Sequence, residues 1–144
     1  VKKMIKKEVE QGRHTQHFYK KFGNNAKNIL TEFKGTVDLY RSRGVKVIGY
    51  GAAAKGMTVL NANNIQLDWI VDDNTLKQGL LTPGTNIPIK DRSSLDLDEE
   101  IVVVPLAWNF FKEIKENVES IRQNKPTQFI RYFPAVTVIL WKII

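Results

Sequence analysis

Three short stretches hold the residue types and spacings that could do chemistry. Val45–Gly56 reads VKVIGYGAAAKG, an apolar run followed by Gly49, Tyr50, Gly51, Ala52, Ala53 and Lys55. Gly49 and Gly51 permit a tight turn and close approach of a ligand to the backbone. A helix starting just after them presents unpaired N–H groups to an anion. Lys55 adds a full positive charge at the same place. In the second stretch Asp72 and Asp73 follow the apolar LDWIV, with Lys77 a few positions on. In the third, Ala107-Trp108-Asn109 follows IVVVP. Trp108 offers a face on which a base or sugar can stack, and Asn109 a carboxamide that can hydrogen-bond one. Structural roles compete at every position. Small residues let a crossover helix pack tightly on a strand, aspartates favour turns, and asparagine caps helices.

Several ligands fit this pattern in part. Asp72 lies 21 positions beyond Gly51, about where a dinucleotide-binding fold places the carboxylate that holds a ribose hydroxyl. The glycine spacing, however, is G-x-G-x-x-x-x-G, with alanine at position 54. That weakens an NAD(P) reading, although alanine can stand at the third place. An S-adenosylmethionine loop would carry an acidic residue just before the glycines, and Val45–Ile48 has none. No nucleophile–base pair, metal-ligand cluster or histidine sits at any of these places. The pattern suits holding an anionic ligand better than transforming one. His14 and His17, at i, i+3 spacing one turn beyond Glu10, read as a solvated helix face.

The elements that must position these stretches follow from periodicity. Residues 1–22 and 25–43 read as two helices separated by Gly23-Asn24. The second carries an apolar face of Ile29, Leu30, Phe33, Val37 and Tyr40, and ends at Gly44. Val45–Tyr50 is a strand, Ala52–Asn63 a helix and Leu67–Val71 a strand. A turn-rich loop containing Thr82-Pro83-Gly84-Thr85-Asn86 comes next, then the strand Ile101–Pro105. Asn109 is placed to cap a helix over Phe110–Gln123, whose stripe is Phe111, Ile114, Val118 and Ile121. Phe129–Phe133 and Val136–Trp141 read as closing strands, parallel or antiparallel. Strands alternating with helices specify an α/β, Rossmann-like domain with a largely parallel sheet, here preceded by two helices. Residues 1–43 would be a helical segment packed on the core, and 44–144 the Rossmann-like unit. In such sheets ligands bind beyond the carboxyl ends of the strands, where all three stretches converge.

The whole chain sets the bounds. Its 144 residues, 42% apolar and 26% charged, fit one soluble domain. No apolar run is long enough to span a bilayer, and the N-terminus lacks the apolar core of a secretory signal. The absence of cysteine excludes disulfides, thiolate zinc sites and thiol catalysis, and agrees with a cytoplasmic setting. The first residue is Val, which raises the expectation of a portion of a longer polypeptide. The formal charge of +7 concentrates at Lys2, Lys3, Lys6 and Lys7, then Lys20, Lys21, Lys27 and Lys34. With interspersed acids and no nucleic-acid motif, nucleic-acid binding is disfavoured.

GYGAAAKG (49–56), VDDNTLKQG (71–79), TPGTNIPI (82–89) and LAWNF (106–110), in this order, resemble the C-terminal domain of the SAM-dependent C-methyltransferases that act on TDP-linked deoxysugars. The likeness extends over essentially the whole chain. It implies a three-part enzyme: a Cys-ligated zinc segment, a SAM-binding domain and this Rossmann-like domain, which positions the nucleotide-linked sugar. S-adenosylmethionine and structural zinc would then belong to the two parts that this chain does not contain. So would the catalytic residues, which lie in a Tyr-x-Glu-His-type stretch of the middle domain. The chain would have no catalytic residue of its own. The resemblance further implies that Gly49, Gly51, Ala52, Ala53 and Lys55 face the diphosphate. Asp72, Asp73, Lys77, Trp108 and Asn109 would line the rest of the cleft. The alternative is an NAD(P)-binding oxidoreductase or nucleotide-sensing domain, which rests on the Gly51–Asp72 spacing.

Overall fold

A computed structural model describes residues 1–140. Two helices lead, as expected, but they divide elsewhere: α1 spans Lys2–Glu10 and α2 spans Gln16–Ser42. Gly23-Asn24 lies inside α2 and breaks nothing. An interior glycine costs a helix only about 1 kcal/mol, which a buried face readily outweighs. The actual break is at Gly12, where φ is +67°, followed by Thr15. The Thr15 hydroxyl accepts from the Phe18 N–H (3.3 Å) and donates to the Gly12 carbonyl (2.6 Å), which caps α2. His14 falls in this turn and His17 in α2, so the two do not share one helix face.

After α2 come β1 (Lys46–Tyr50), α3 (Ala54–Ala62), β2 (Trp69–Val71), β3 (Ile89–Lys90), β4 (Ile101–Pro105), α4 (Phe111–Arg122), β5 (Thr127–Arg131) and β6 (Thr137–Leu140). They form one six-stranded sheet in the order β3-β2-β1-β4-β5-β6. Every neighbouring pair is parallel except β5 with β6, so the closing pair is antiparallel. The expected strand Val136–Trp141 reaches Trp141, which lies outside the described residues. From β1 the chain winds one way to β2 and β3, then returns across β1 to β4 and β5. That reversal leaves a crevice at the carboxyl ends of β1 and β4.

The central strands β1, β2 and β4 are buried on both faces, which is why they read as apolar runs. Val47, Ile70, Val102, Val104 and Ile130 meet Phe33 and Val37 of α2 and Leu60 of α3 on one face. Ile48, Tyr50, Val71, Val103 and Phe129 meet Ile114 and Val118 of α4 on the other. Thus α2 shares the sheet's core, whereas α1 has no buried residue. Ring stacking of Phe33 on Tyr132, centroids 5.1 Å apart, fixes α2 to the end of β5. At the amino ends of the strands the buried Arg122 guanidinium bonds the Thr127 hydroxyl (3.0 Å). It also bonds the carbonyls of Leu95 (3.1 Å), Leu97, Glu99 (2.8 Å) and Pro126 (2.8 Å). Burial lowers its pKa from the ordinary value. No described helix is long and apolar enough to cross a membrane.

Candidate functional site

The three glycines of the β1–α3 stretch have two separate jobs. A Cβ on Gly49 would come within 2.9 Å of both Ile70 and Leu106 and 3.0 Å of Leu67, so this glycine lets β1 pack against apolar neighbours. A Cβ on Gly56 would come within 2.7 Å of Leu106, so this one lets α3 lie close over the end of β4. Only Gly51 serves the turn. Its φ of +89° is in the left-handed region, and its N–H donates to the Val71 carbonyl at 2.7 Å.

Past Gly51, the peptide at Ala52 is held at both ends. Its N–H donates to the Asp72 carboxylate at 2.7 Å, and its carbonyl accepts from the Lys77 ammonium at 3.0 Å. Lys77 also pairs with Asp72 at 3.1 Å, while the other Asp72 oxygen takes the Asn74 N–H at 2.9 Å. Asp72 is only 7% exposed. Its carboxylate is turned inward as a brace between the ends of β1 and β2. The spacing from Gly51 matches that of a ribose-binding acid, on which the NAD(P) alternative rests, and the structure shows those oxygens engaged by backbone and Lys77.

Asp73 is paired too. It accepts from the Tyr50 hydroxyl (3.1 Å) and from the Arg92 guanidinium, Nη2 at 2.8 Å and Nε closer still. Hydrogen bonding to Arg92 holds the Asp73 pKa below the ordinary carboxylate value. Burial, and then the Asp73 charge, push the Tyr50 pKa up to about 12. Tyr50 is therefore a neutral phenol at physiological pH and no base. Arg92 escaped sequence reasoning because it follows β3, a two-residue strand too short to give a periodic signal.

What remains is open. Ala53 stands at the N-cap of α3 with no side-chain cap, and its own N–H bonds the Gly51 carbonyl at 2.8 Å. The first N–H groups of α3 are those that a helix leaves without intrahelical partners. Lys55, in the first turn, is exposed and has no carboxylate partner among the described residues. Its ammonium lies 5.6 Å from the centroid of the Trp108 ring. Trp108 in turn packs on Phe133, with centroids 4.6 Å apart and planes tilted 44°. Trp108 is 36% exposed and Phe133 43%. Asn109 is exposed and does not cap α4. Trp108–Phe110 forms a 3₁₀ turn, the Phe110 N–H bonds the Ala107 carbonyl at 2.8 Å, and Phe110 itself takes the N-cap position. The Asn109 carboxamide makes no hydrogen bond among the described residues. Phe133 was missed because it read as the end of a strand, whereas β5 stops at Arg131.

The structure thus brings every sequence-chosen residue to one sheet edge, but in three classes. Gly49 is packing; Gly51 and Ala52 are tied down in the turn, Asp72 is bonded to Lys77 and Asp73 to Tyr50; the first turn of α3, Lys55, Trp108 and Asn109 are accessible.

Over 127 residues the chain is 28% identical to "C-methyltransferase NovU" of Streptomyces niveus, covering 86% of this chain and 30% of that protein. The chain therefore spans about 30% of the length of the curated relative it matches. A family model described as the C-methyltransferase C-terminal domain matches residues 1–134, nearly the full length, and the chain belongs to that family.

Proposed function

We propose that this chain is the substrate-holding domain of a SAM-dependent sugar C-methyltransferase, binding a nucleotide-linked sugar and contributing no catalytic group of its own. The diphosphate would lie at the Gly51–Lys55 turn, where helix N–H groups and an exposed ammonium offer matching positive charge. One contrast carries the reading. The acids and bases able to do chemistry at this edge neutralise one another, while the groups suited to an anion stand open. Residues 44–144 would be the substrate-positioning unit, and residues 1–43 the helical segment packed on it, in a cytoplasmic setting.

S-adenosylmethionine and structural zinc would go with the other domains of such an enzyme: Val45–Ile48 carries no acidic residue before the glycines, and the residues here offer zinc no ligand set. The chain has no cysteine, and its described residues hold no cluster of three or more metal-ligating side chains. The NAD(P) alternative loses its main support, since the Asp72 carboxylate that would take ribose hydroxyls is bonded to Ala52 and Lys77. Calorimetric titration with TDP, NADH and S-adenosylmethionine separates these readings. TDP alone should give a saturable isotherm; selective uptake of NADH would overturn the assignment.

A further inference from the structure

Resting on the reading of this chain as the substrate-holding domain of a larger enzyme, we infer that the first half of α2 is a docking wall. It receives the part of the same polypeptide that brings the catalytic groups, which seats in the apolar groove between α2 and α3.

The direction of α2 places this wall. Near the start of β5 the Tyr40 hydroxyl donates to the Gln128 side chain (2.6 Å), and just past the end of β5 Phe33 stacks on Tyr132. Hence α2 runs antiparallel to β5, and the half that precedes Phe33 extends past the strand ends, on the side where the crevice opens. Gln16–Glu32 is about 25 Å of helix at 1.5 Å per residue. None of its residues is buried, and Tyr19 and Phe22 stand exposed.

Phe22, Ala26 and Ile29 of this half line an apolar groove with Val59 of α3 and Phe133. Phe133 is also the ring that packs on Trp108, so groove and candidate site share a wall. On the opposite face of the sheet the surface beside the crevice is charged, with Lys112, Glu113 and Glu116. An uncovered apolar groove marks an interaction site, and a side lined by charges does not. Three observations name the occupant. The chain brings no catalytic group to the crevice, so one must reach over it from elsewhere in the enzyme. The matched 127 residues are 30% of the relative, and the family model is described as a C-terminal domain, so most of such a polypeptide lies ahead of α1. Finally, Lys20, Lys21 and Lys27 have no carboxylate partner among the described residues. Such a surface repels a second copy of itself and suits an acidic rim on the partner.

The test compares the parent chain with the full-length polypeptide that carries it, each also as Phe22→Glu and Phe22→Leu. Amides over 22–30 and 58–62 should exchange about tenfold more slowly in the full-length protein, and those over 116–122 equally in both. Phe22→Glu should remove that protection and Phe22→Leu should keep most of it. Neither should move the melting temperature or the TDP affinity of the parent chain, since Phe22 is 67% exposed and lies outside the candidate site. Sedimentation should show the parent chain as a monomer. A dimer that Phe22→Glu dissolves would assign the groove to a second copy and overturn the inference. Equal exchange of the groove in both proteins, or protection that survives Phe22→Glu, also overturns it, and TDP binding by the full-length protein then leaves the substrate site standing. A full-length protein that binds no TDP removes the substrate site and the inference with it, as does a gene that encodes no further domain.

Discussion

At Asp72 a single carboxylate braces the β1–α3 turn against the end of β2. By tying down the Ala52 N–H it fixes the turn that leads into α3, and Lys77 holds the carbonyl of the same residue. Asp72→Asn keeps the size but puts an amide donor or a weaker acceptor against the Ala52 N–H and the Lys77 ammonium. A loss of about 1–3 kcal/mol of stability is expected, read from chemical denaturation. Faster hydrogen exchange at Ala52–Lys55 should accompany it. A ribose-binding aspartate would instead give lost affinity with unchanged stability.

Titration marks the neighbouring cluster. The Asp73 pKa is lowered in the folded state, so its contribution is present above the unfolded value and is lost as pH falls through the folded one. Arg92→Gln should flatten that acid limb. The Tyr50 pKa is raised to about 12, so its contribution is complete below the ordinary phenol value near 10 and is lost as pH rises from there to about 12. Tyr132, whose hydroxyl donates to the Leu106 carbonyl, is raised by burial to about the same value. Tyr50→Phe should therefore remove part of the alkaline loss of stability and leave the part that Tyr132 causes.

At the scale of elements, the β1–α3 turn separates packing from binding. Gly49→Ala places a methyl within 2.9 Å of Ile70 and Leu106, and overpacking of this kind costs about 1–3 kcal/mol. Gly51→Val strains a backbone at φ +89° and also redirects α3, so stability and ligand affinity should fall together. At the opposite end of the sheet, Arg122 ties the segment before β4 to the start of β5. Arg122→Met should cost about 3 kcal/mol or more, since several buried carbonyls lose their donor at once. It should leave affinity at the β1–α3 turn unchanged in whatever fraction stays folded.

For the molecule as a whole, legibility followed the range of the interaction. Strands β1 and β4 were plain because both faces of the sheet's centre are covered, leaving VIGY and IVVVP as unbroken buried runs. The convergence of three loops was legible for the same reason, since strand ends in a parallel sheet share one edge. What stayed hidden was set by direction and distance. Nothing local tells whether Asp72 turns inward to Ala52 or outward to a ligand, and the Arg92 that neutralises Asp73 comes from 19 positions away. Gly23-Asn24 looked like a break because its composition is that of a turn. The buried Phe33 and Val37 carry α2 through it, and the Thr15 cap places the real start earlier.

The central claim is that Lys55 and the first turn of α3 hold the diphosphate of a nucleotide-linked substrate. Calorimetric titration of TDP into the parent chain and into Lys55→Ala, with the melting temperature of each, tests it most directly. Lys55 is an exposed side chain with no ion-pair partner among the described residues, so its removal should barely change the melting temperature. Loss of a charge-assisted contact should weaken TDP by about tenfold. Equal TDP affinity in the two proteins would contradict the account.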